Sequence, residues 1–216
     1  MHHAIIAVMS RRNAARQNGM RASIAAAAAR IMAEEGIDDF ALAKRKAARR
    51  LGAADTEALP ANAEIEAELR DYLALYQAEA HPERIAELRR LALEVMRALE
   101  PFHPYLTGPV LAGIAGPYAE IELQLFPESS KEVELHLLDR NIAYEASDER
   151  RYTGDRARAV AVISLAWQGV PVRLSVFDPR DERSALKTSL AGRVTARAGV
   201  AEVQALVEAG HDAGPA

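Results

Sequence analysis

The sequence predicts an α+β protein, with a helical N-terminal half followed by a small mixed β-sheet and a flanking helix. Three observations predict this class. Apolar residues repeat at helical spacing to about residue 100, apolar and polar residues alternate after about residue 119, and Pro101 and Pro104 separate the two patterns. The predicted divisions are a lead over 1–20, a helical region over 21–80, a core over 81–208 and a tail over 209–216.

Four helices are predicted in the N-terminal half. The first runs from Arg21 to Glu35 and stops at Gly36, a residue typical of helix C-termini. Pro82 suits the first turn of the fourth helix, and Pro101 prevents that helix from continuing. The second, third and fourth helices are predicted over Asp39–Leu51, Glu64–Gln77 and Pro82–Leu99.

The C-terminal half contains strand patterns. A helix capped by Ser129 or Ser130 and ending near Arg140 interrupts them, and a last helix is predicted over Val200–Val207. The charged stretch Asp148–Arg158 is predicted to be a loop. The final two strands form a predicted hairpin that turns at Gln168 and Gly169. The strands are predicted over Val110–Ala115, Ala119–Phe126, Ile142–Ala146, Val160–Trp167 and Val170–Phe177.

Composition and simple motifs exclude several classes of site. The 216-residue chain has no cysteine, which excludes disulfides, thiolate nucleophiles and cysteine-ligated metal centres. Its six histidines form no i, i+4 pair and no dense cluster, so a histidine metal site is not predicted. The phosphate-loop pattern G-x-x-x-x-G-K-S/T and the nucleophile-elbow pattern G-x-S-x-G are both absent.

The start of the chain predicts neither a membrane anchor nor a secretory signal. No apolar run approaches the roughly 20 residues of a membrane span. The short apolar stretch Ala4–Met9 precedes Arg11 and Arg12, which is the wrong order for a signal peptide. We therefore predict a cytoplasmic protein without a membrane partner. Residues 1–20 lack periodicity, which predicts a disordered lead or an over-extended start with Met20 as the alternative first residue.

Acidic residues concentrate in the middle of the chain, where segment 61–150 holds 18 of the 31 acidic residues. Most lie on predicted helix faces, but Glu120 and Glu122 occupy alternate positions of a predicted strand. Carboxylates at i and i+2 of a strand project from one face about 6–7 Å apart, which suits joint binding of Mg²⁺. The alternative is that both glutamates form only the solvated face of an amphipathic strand.

The segment Gly108–Phe126 resembles the signature of the nucleotidyltransferase-fold superfamily, also called the DNA-polymerase-β-like fold. That signature is a glycine turn followed by paired aspartates on a strand. Gly113 matches the turn glycine, and Glu120 and Glu122 match the aspartates. The predicted elements over 82–180 can be laid on the αβαβ core of this fold, and Ala43–Gly52 is similar to the helical N-terminal region of bacterial nucleotidyltransferase-like proteins.

The resemblance implies Mg²⁺-dependent transfer of a nucleoside monophosphate from a nucleoside triphosphate to an acceptor that it does not identify. Glu120 and Glu122 would hold the metal as catalytic residues, with Asp178 as the third carboxylate. Gly113 and Ile114 would lie against the phosphates of the nucleotide.

Three departures from the family pattern favour a second interpretation. Glutamates replace the aspartates, and Ile114 stands where the family has serine. In addition, Arg173 is predicted on the polar side of a later strand, where it can pair with Glu120 or Glu122 in place of a metal. This pairing would make the protein a degenerate, non-catalytic module that binds a nucleotide or a protein, with Arg173 among its nucleotide-binding residues.

A third interpretation is a DNA-binding regulator that acts through residues 22–52. Basic residues cluster over Lys44–Arg50, and the two helices of this region are similar to the helix-turn-helix front of tetracycline-repressor-like regulators. A basic, solvated helix face is the favoured explanation of the cluster. Nucleic acid therefore stays an open partner, and the sequence predicts no oligomeric state.

Overall fold

The computed structural model describes residues 2–37, 39–54, 56, 58–77, 80–153, 156–184, 186–187 and 195–212 and confirms the α+β class. The chain divides into two compact units. The helical unit comprises Met1–His81 with Gly116–Tyr118, and the sheet unit comprises Pro82–Ala115 with Ala119–Ala216.

The helical unit contains α1 (His2–Glu35), α2 (Phe40–Arg50) and α3 (Asn62–Tyr76). Small and β-branched residues fill its interior, and those with at most 1% exposure include Ile24, Ala28, Ile31, Ala43, Ala47 and Ile65. Asp39 caps α2, because its Oδ1 accepts the backbone N–H of Ala41 at 2.7 Å.

The start of α1 differs from the prediction for residues 1–20. Helix α1 extends back to His2, through most of the stretch predicted to be a disordered lead. This stretch has no apolar period, but its alanine, arginine and methionine residues have high intrinsic helix propensity. Among the described helices, none is long and apolar enough to cross a membrane.

The sheet unit places its helices on one side of a mixed sheet. In chain order its elements are α4 (Ala80–Ala98), β1 (Tyr105–Thr107), α5 (Gly108–Ala112), β2 (Ile121–Leu125), α6 (Ser130–Asp139), β3 (Tyr144–Thr153), β4 (Arg156–Trp167), β5 (Val170–Val176), β6 (Leu186–Lys187) and α7 (Val200–Asp212). The strand order is β1-β2-β5-β4-β3-β6. Strands β2 and β5 are parallel, and the other neighbouring strands are antiparallel.

Alternation along the strands gives the sheet two different faces. On one face Leu123 of β2, Leu174 of β5 and Ile163 of β4 are at most 1% exposed and form one core with α4, α6 and α7. The intervening residues lie on the opposite side, which we call the polar face. Its central positions are Glu122, Gln124, Ser164, Arg173 and Ser175, together with the buried Val162 opposite Ser175.

One predicted strand is wrong. Residues 110–115 do not form a strand: Gly108–Ala112 is the short helix α5, and the first strand is Tyr105–Thr107. A six-residue apolar run fits either a strand or a buried helical turn. Pro109 decides the outcome, because its fixed φ suits the first turn of a helix.

The predicted loop over residues 148–158 is also wrong. Strands β3 and β4 pair through this region, from Tyr144 opposite Leu165 to Thr153 opposite Arg156. The charged composition of this stretch is typical of a loop. The strands form here because each is hydrogen-bonded to the other, and this tertiary context outweighs the local preference. The hairpin turn at Gln168 and Gly169 is confirmed, with both residues at positive φ as a type I′ turn requires.

Candidate functional site

The paired glutamates lie at the N-terminal end of β2. Glu120 immediately precedes the strand and its side chain is 46% exposed, whereas Glu122 is the second residue of β2. The register places Glu122 between Thr107 on β1 and Arg173 on β5. The predicted i, i+2 pair therefore lies beside the predicted arginine on the polar face.

Gly108 brings the backbone against the Glu122 carboxyl group. Its φ is +69°, and an added Cβ would lie 2.7 Å from Glu122 Cδ, so only glycine fits without a shift of the glutamate. The hydroxyl of Thr107 donates to the Glu122 carbonyl at 3.2 Å. The glycine that approaches the acidic pair is thus Gly108 rather than Gly113. The signal in the sequence is a glycine before a proline, directly after a short strand.

Arg173 joins the acidic pair to a third carboxylate. Its Nη1 lies 3.9 Å from Glu120 Oε2, and its Nη2 forms an ion pair with Glu149 Oε1. The arginine and Glu149 side chains are 30% and 29% exposed. Sequence reasoning missed Glu149 because it fell in the predicted loop. The guanidinium therefore lies between carboxylates from the start of β2 and from β3.

Asp178 does not join this cluster. It follows the end of β5, five residues beyond Arg173, which corresponds to about 16 Å along an extended chain. Its Oδ1 accepts the backbone N–H of Arg180 at 2.8 Å and caps the 3₁₀ turn Pro179–Asp181. Glu149 is therefore the second carboxylate in contact with Arg173, whereas Asp178 is engaged in a local turn.

Gly113 and Ile114 use their amides to close α5. Gly113 is in the left-handed conformation at the helix C-terminus, and its N–H donates to Val110 O at 3.4 Å. The N–H of Ile114 donates to Pro109 O at 3.0 Å. Both amides that the resemblance assigns to phosphates are therefore bonded within the turn.

Arg89 of α4 holds the same turn from the side. Its Nε donates to Val110 O at 3.2 Å and its Nη2 donates to Leu111 O at 3.0 Å. Burial lowers the pKa of this arginine, and these carbonyls are the partners that satisfy its donors. Arg89 therefore stabilises the geometry of α5.

Two polar atoms on the polar face have unmet hydrogen-bonding capacity. Gln124 is 6% exposed, and its buried Oε1 has no partner among the described residues. The buried Nε of Arg173 is also without a partner in that set. Gln124 follows Glu122 on the same face of β2 and lies diagonally across from Arg173 on β5. Buried polar atoms are rarely left unpaired, and such exceptions are typical of functional sites.

Comparison of the chain with family models, curated proteins and solved structures finds no match. The function therefore has to be argued from the site itself. Within the described ranges, no group of three or more histidine, aspartate or glutamate side chains has the arrangement of a metal site. Mg²⁺ at Glu120 and Glu122 stays a prediction from the resemblance.

Most of the basic residues over Lys44–Arg50 are paired inside the helical unit. Lys46 and Arg50 both form ion pairs with Glu35, and Lys44 donates to Asn62 Oδ1 at 2.7 Å. Arg45 and Arg49 are exposed, at i and i+4 of α2, and form no ion pair in the described part of the chain. The DNA-binding interpretation stays a prediction that depends on these two arginines.

Proposed function

We propose that the sheet unit is a nucleotidyltransferase-like module that binds a nucleotide without transferring it. The observation that carries the proposal is the position of Arg173, whose guanidinium lies between the carboxylates of Glu120 and Glu149. In nucleotidyl transfer, such carboxylates hold the metal ions that stabilise the attacking and leaving oxygens. In this chain a side-chain cation occupies that position.

Displacement of Arg173 by Mg²⁺ is unfavourable on physical grounds. The guanidinium stays charged throughout the accessible pH range. It is also 30% exposed, so moving it away from both glutamates leaves a partly buried charge without partners. Mg²⁺ dehydrates reluctantly and requires octahedral geometry. A covalently fixed arginine with two carboxylate partners therefore competes effectively with the metal.

The unmet hydrogen-bonding capacity beside Arg173 supports binding. Among the described residues, the acceptor Gln124 Oε1 and the donor Arg173 Nε have no partner. A ligand that satisfies both offers a donor and an acceptor close together, as the base edges of nucleotides do. The burial of both atoms increases the free energy gained when they are paired.

The order of elements also supports the proposal. Helix α4, strands β1 and β2, helix α6 and strand β3 follow one another in the order laid on the αβαβ core, with the short helix α5 between the first two strands. The acidic residues lie at the start of β2. The amides of Gly113 and the carboxylate of Asp178 are engaged in local turns. These local bonds are consistent with a module that keeps the order of helices and strands but lacks the residues needed for catalysis.

The experiment is calorimetric titration of the full chain with ATP and with CTP, first in EDTA and then in excess Mg²⁺. We expect binding that Mg²⁺ does not strengthen, and no transfer of a radiolabelled nucleoside monophosphate. Gln124→Leu is expected to weaken binding at least tenfold, because the acceptor is lost. Gln204→Leu, at an exposed position of α7, is the matched control and should bind normally.

Two results would contradict the proposal. Mg²⁺-dependent transfer that is lost in the Glu120→Gln plus Glu122→Gln variant would show a catalytic site. Absence of nucleotide binding both with and without Mg²⁺ would exclude the nucleotide as the ligand.

A further inference from the structure

Helix α6 presents two leucines to solvent. Leu135 and Leu138 are 59% and 56% exposed and lie on one side of the helix at i and i+3. Val133 and Leu137, on the opposite side, are fully buried in the core. The helix thus has an apolar inner side and an apolar outer stripe, and the described residues leave the outer stripe uncovered.

The exposure of this stripe does not come from a frayed helix. Asn141 is in the left-handed conformation, with φ of 55°, directly after the last turn. Its N–H donates to Leu138 O at 2.9 Å, and the N–H of Ile142 donates to Leu137 O at 3.0 Å. These two bonds form a Schellman motif, which satisfies the carbonyls at the C-terminus of the helix.

Both ends of α6 carry charges of both signs: Lys131 and Glu132 lie in the first turn, and His136 and Asp139 lie in the last turn before the C-cap Arg140. Of these, Lys131 and Asp139 are the two whose signs oppose the helix dipole. Both residues are exposed, and neither has an ion-pair partner among the described residues. Their positions are four residues before and four residues after Leu135, or about 6 Å on each side.

The symmetric placement of Lys131 and Asp139 about Leu135 favours a second copy of α6 as the partner that covers the two leucines. When two copies of α6 pack antiparallel about a two-fold axis at Leu135, each Lys131 faces Asp139 of the second copy. The same operation brings the two Leu135 side chains together and places Leu138 of each copy beside Lys131 and Glu132 of the other, whose aliphatic stems can cover it. We propose that α6 is the contact helix of a homodimer with this antiparallel arrangement.

A hollow at the C-terminal end of α6 lies beside this contact. It has a volume of about 540 Å³ and is lined by Arg140–Ala143 and Ala166–Gln168. The Nε1 of Trp167 is buried and has no hydrogen-bond partner in the described ranges. The proposed arrangement brings the exposed Glu128 of the second copy to this end of the helix, beside the hollow. Trp167 is the only tryptophan in the chain, so its emission reports on the contact.

The contact is small, because a ten-residue helix is about 15 Å long. Stable interfaces bury about 800 Å² per partner, which exceeds one short helix face. We therefore expect a reversible dimer with a dissociation constant on the order of 10–100 μM.

Sedimentation equilibrium and tryptophan emission across this concentration range test the proposal with charge-swap variants. Lys131→Glu or Asp139→Lys alone places like charges opposite each other twice and should weaken the dimer at least tenfold. Each change also agrees better with the helix dipole, so the melting temperature of the monomer should not fall. The double variant restores opposite charges and should dimerise like the original chain.

Leu135→Lys should abolish dimerisation, whereas Leu75→Lys is the control, because Leu75 is 71% exposed on α3 of the other unit. Dilution of the original chain should shift the tryptophan emission, and Leu135→Lys should show the shifted emission at every concentration. A chain that stays monomeric at 1 mM would overturn the proposal. So would a dimer that both single charge variants leave unchanged, or a double variant that stays monomeric.

Discussion

Two arginines of this protein form ion pairs with glutamate in different ways. In the helical unit, Arg21 directs Nε and Nη2 at the single carboxylate of Glu64, at 2.8 Å and 2.6 Å. In the sheet unit, Arg173 contacts Glu120 and Glu149 on two different parts of the sheet, and its buried Nε has no partner among the residues that the structure describes. Arg21 therefore binds one carboxylate with two of its nitrogens, whereas Arg173 contacts two carboxylates with one nitrogen each.

This difference separates a structural ion pair from a candidate site. Glu64 also accepts the N–H of Ala61 at 2.6 Å, so the Arg21 pair fixes the start of α3 against α1. Arg173 instead contacts carboxylates from two different parts of the sheet, so its positive charge offsets the negative charge of both, as a bound metal ion does. The following predictions test this distinction, beginning with the largest expected effect.

The largest effect is expected on binding of divalent cations. Arg173→Ala removes the cation that contacts Glu120 and Glu149, so the affinity for Mn²⁺ should rise by about ten- to a hundredfold. Arg21→Ala should leave Mn²⁺ binding unchanged. The electron paramagnetic resonance signal of free Mn²⁺ measures both affinities. If Arg173→Ala and Arg21→Ala change the Mn²⁺ affinity equally, Arg173 is a structural ion-pair residue like Arg21 and does not mark a site.

The next effect is on the stability of the turn that carries Glu122. Gly108→Ala should lower the free energy of unfolding by about 2–3 kcal/mol, because a Cβ at positive φ also meets the Glu122 carboxyl group. Gly169→Ala is the control: its φ is also positive, but a Cβ there meets nothing within 4 Å, so the loss should be about 1 kcal/mol. Urea unfolding gives both values. When Glu122→Ala is added to each, the losses of unfolding free energy in Gly108→Ala and Gly169→Ala should become more similar. If they do not, the contact with the Glu122 carboxyl group is not the cause of the larger loss.

A smaller effect is expected when one partner of Arg173 loses its charge. Glu149→Gln keeps the shape of the side chain but weakens a charge-assisted hydrogen bond, which should cost about 1 kcal/mol of stability. The same variant should strengthen nucleotide binding in EDTA, since the arginine is less firmly held. Urea unfolding and calorimetry test the two effects together. Unchanged values in both measurements would mean that the pair with Glu149 does not restrain Arg173.

The smallest effect concerns the acid limb of stability. Hydrogen bonds from Arg21 and from the Ala61 N–H lower the pKa of Glu64 to about 2 from its usual value near 4.5. Because the folded pKa is depressed, the stabilisation is complete above pH 4.5 and is lost as the pH falls from 4.5 towards 2. Glu64→Gln should flatten the thermal stability profile in this interval and leave it parallel to the original above pH 5. A profile that stays equally steep below pH 4.5 would contradict this assignment.

The sequence predicted the elements whose signals are local. Apolar periodicity and Pro101 located α4, alternation located β2, and a serine cap located α6. The turn at Gln168 and Gly169 was predictable because few residue pairs favour positive φ at both positions.

The elements that the sequence did not predict depend on distant partners. The charged ends of β3 and β4 are strands only because they pair with each other, and α5 was hidden in an apolar run that also fits a strand. For the same reason the candidate site was predicted only in part. Glu120, Glu122 and Arg173 follow from alternation, whereas Glu149 and Gly108 become neighbours of this cluster only through tertiary pairing.

The central claim is that Arg173, and not a metal ion, lies among the carboxylates of the polar face. Anomalous diffraction from crystals soaked in MnCl₂ tests it most directly, because a manganese peak locates the ion without reference to activity. We predict no manganese peak beside Glu120 and Glu122 in the original chain, and a peak at that position in Arg173→Ala. A manganese ion held by Glu120 and Glu122 in the original chain, with Arg173 displaced, would contradict the account.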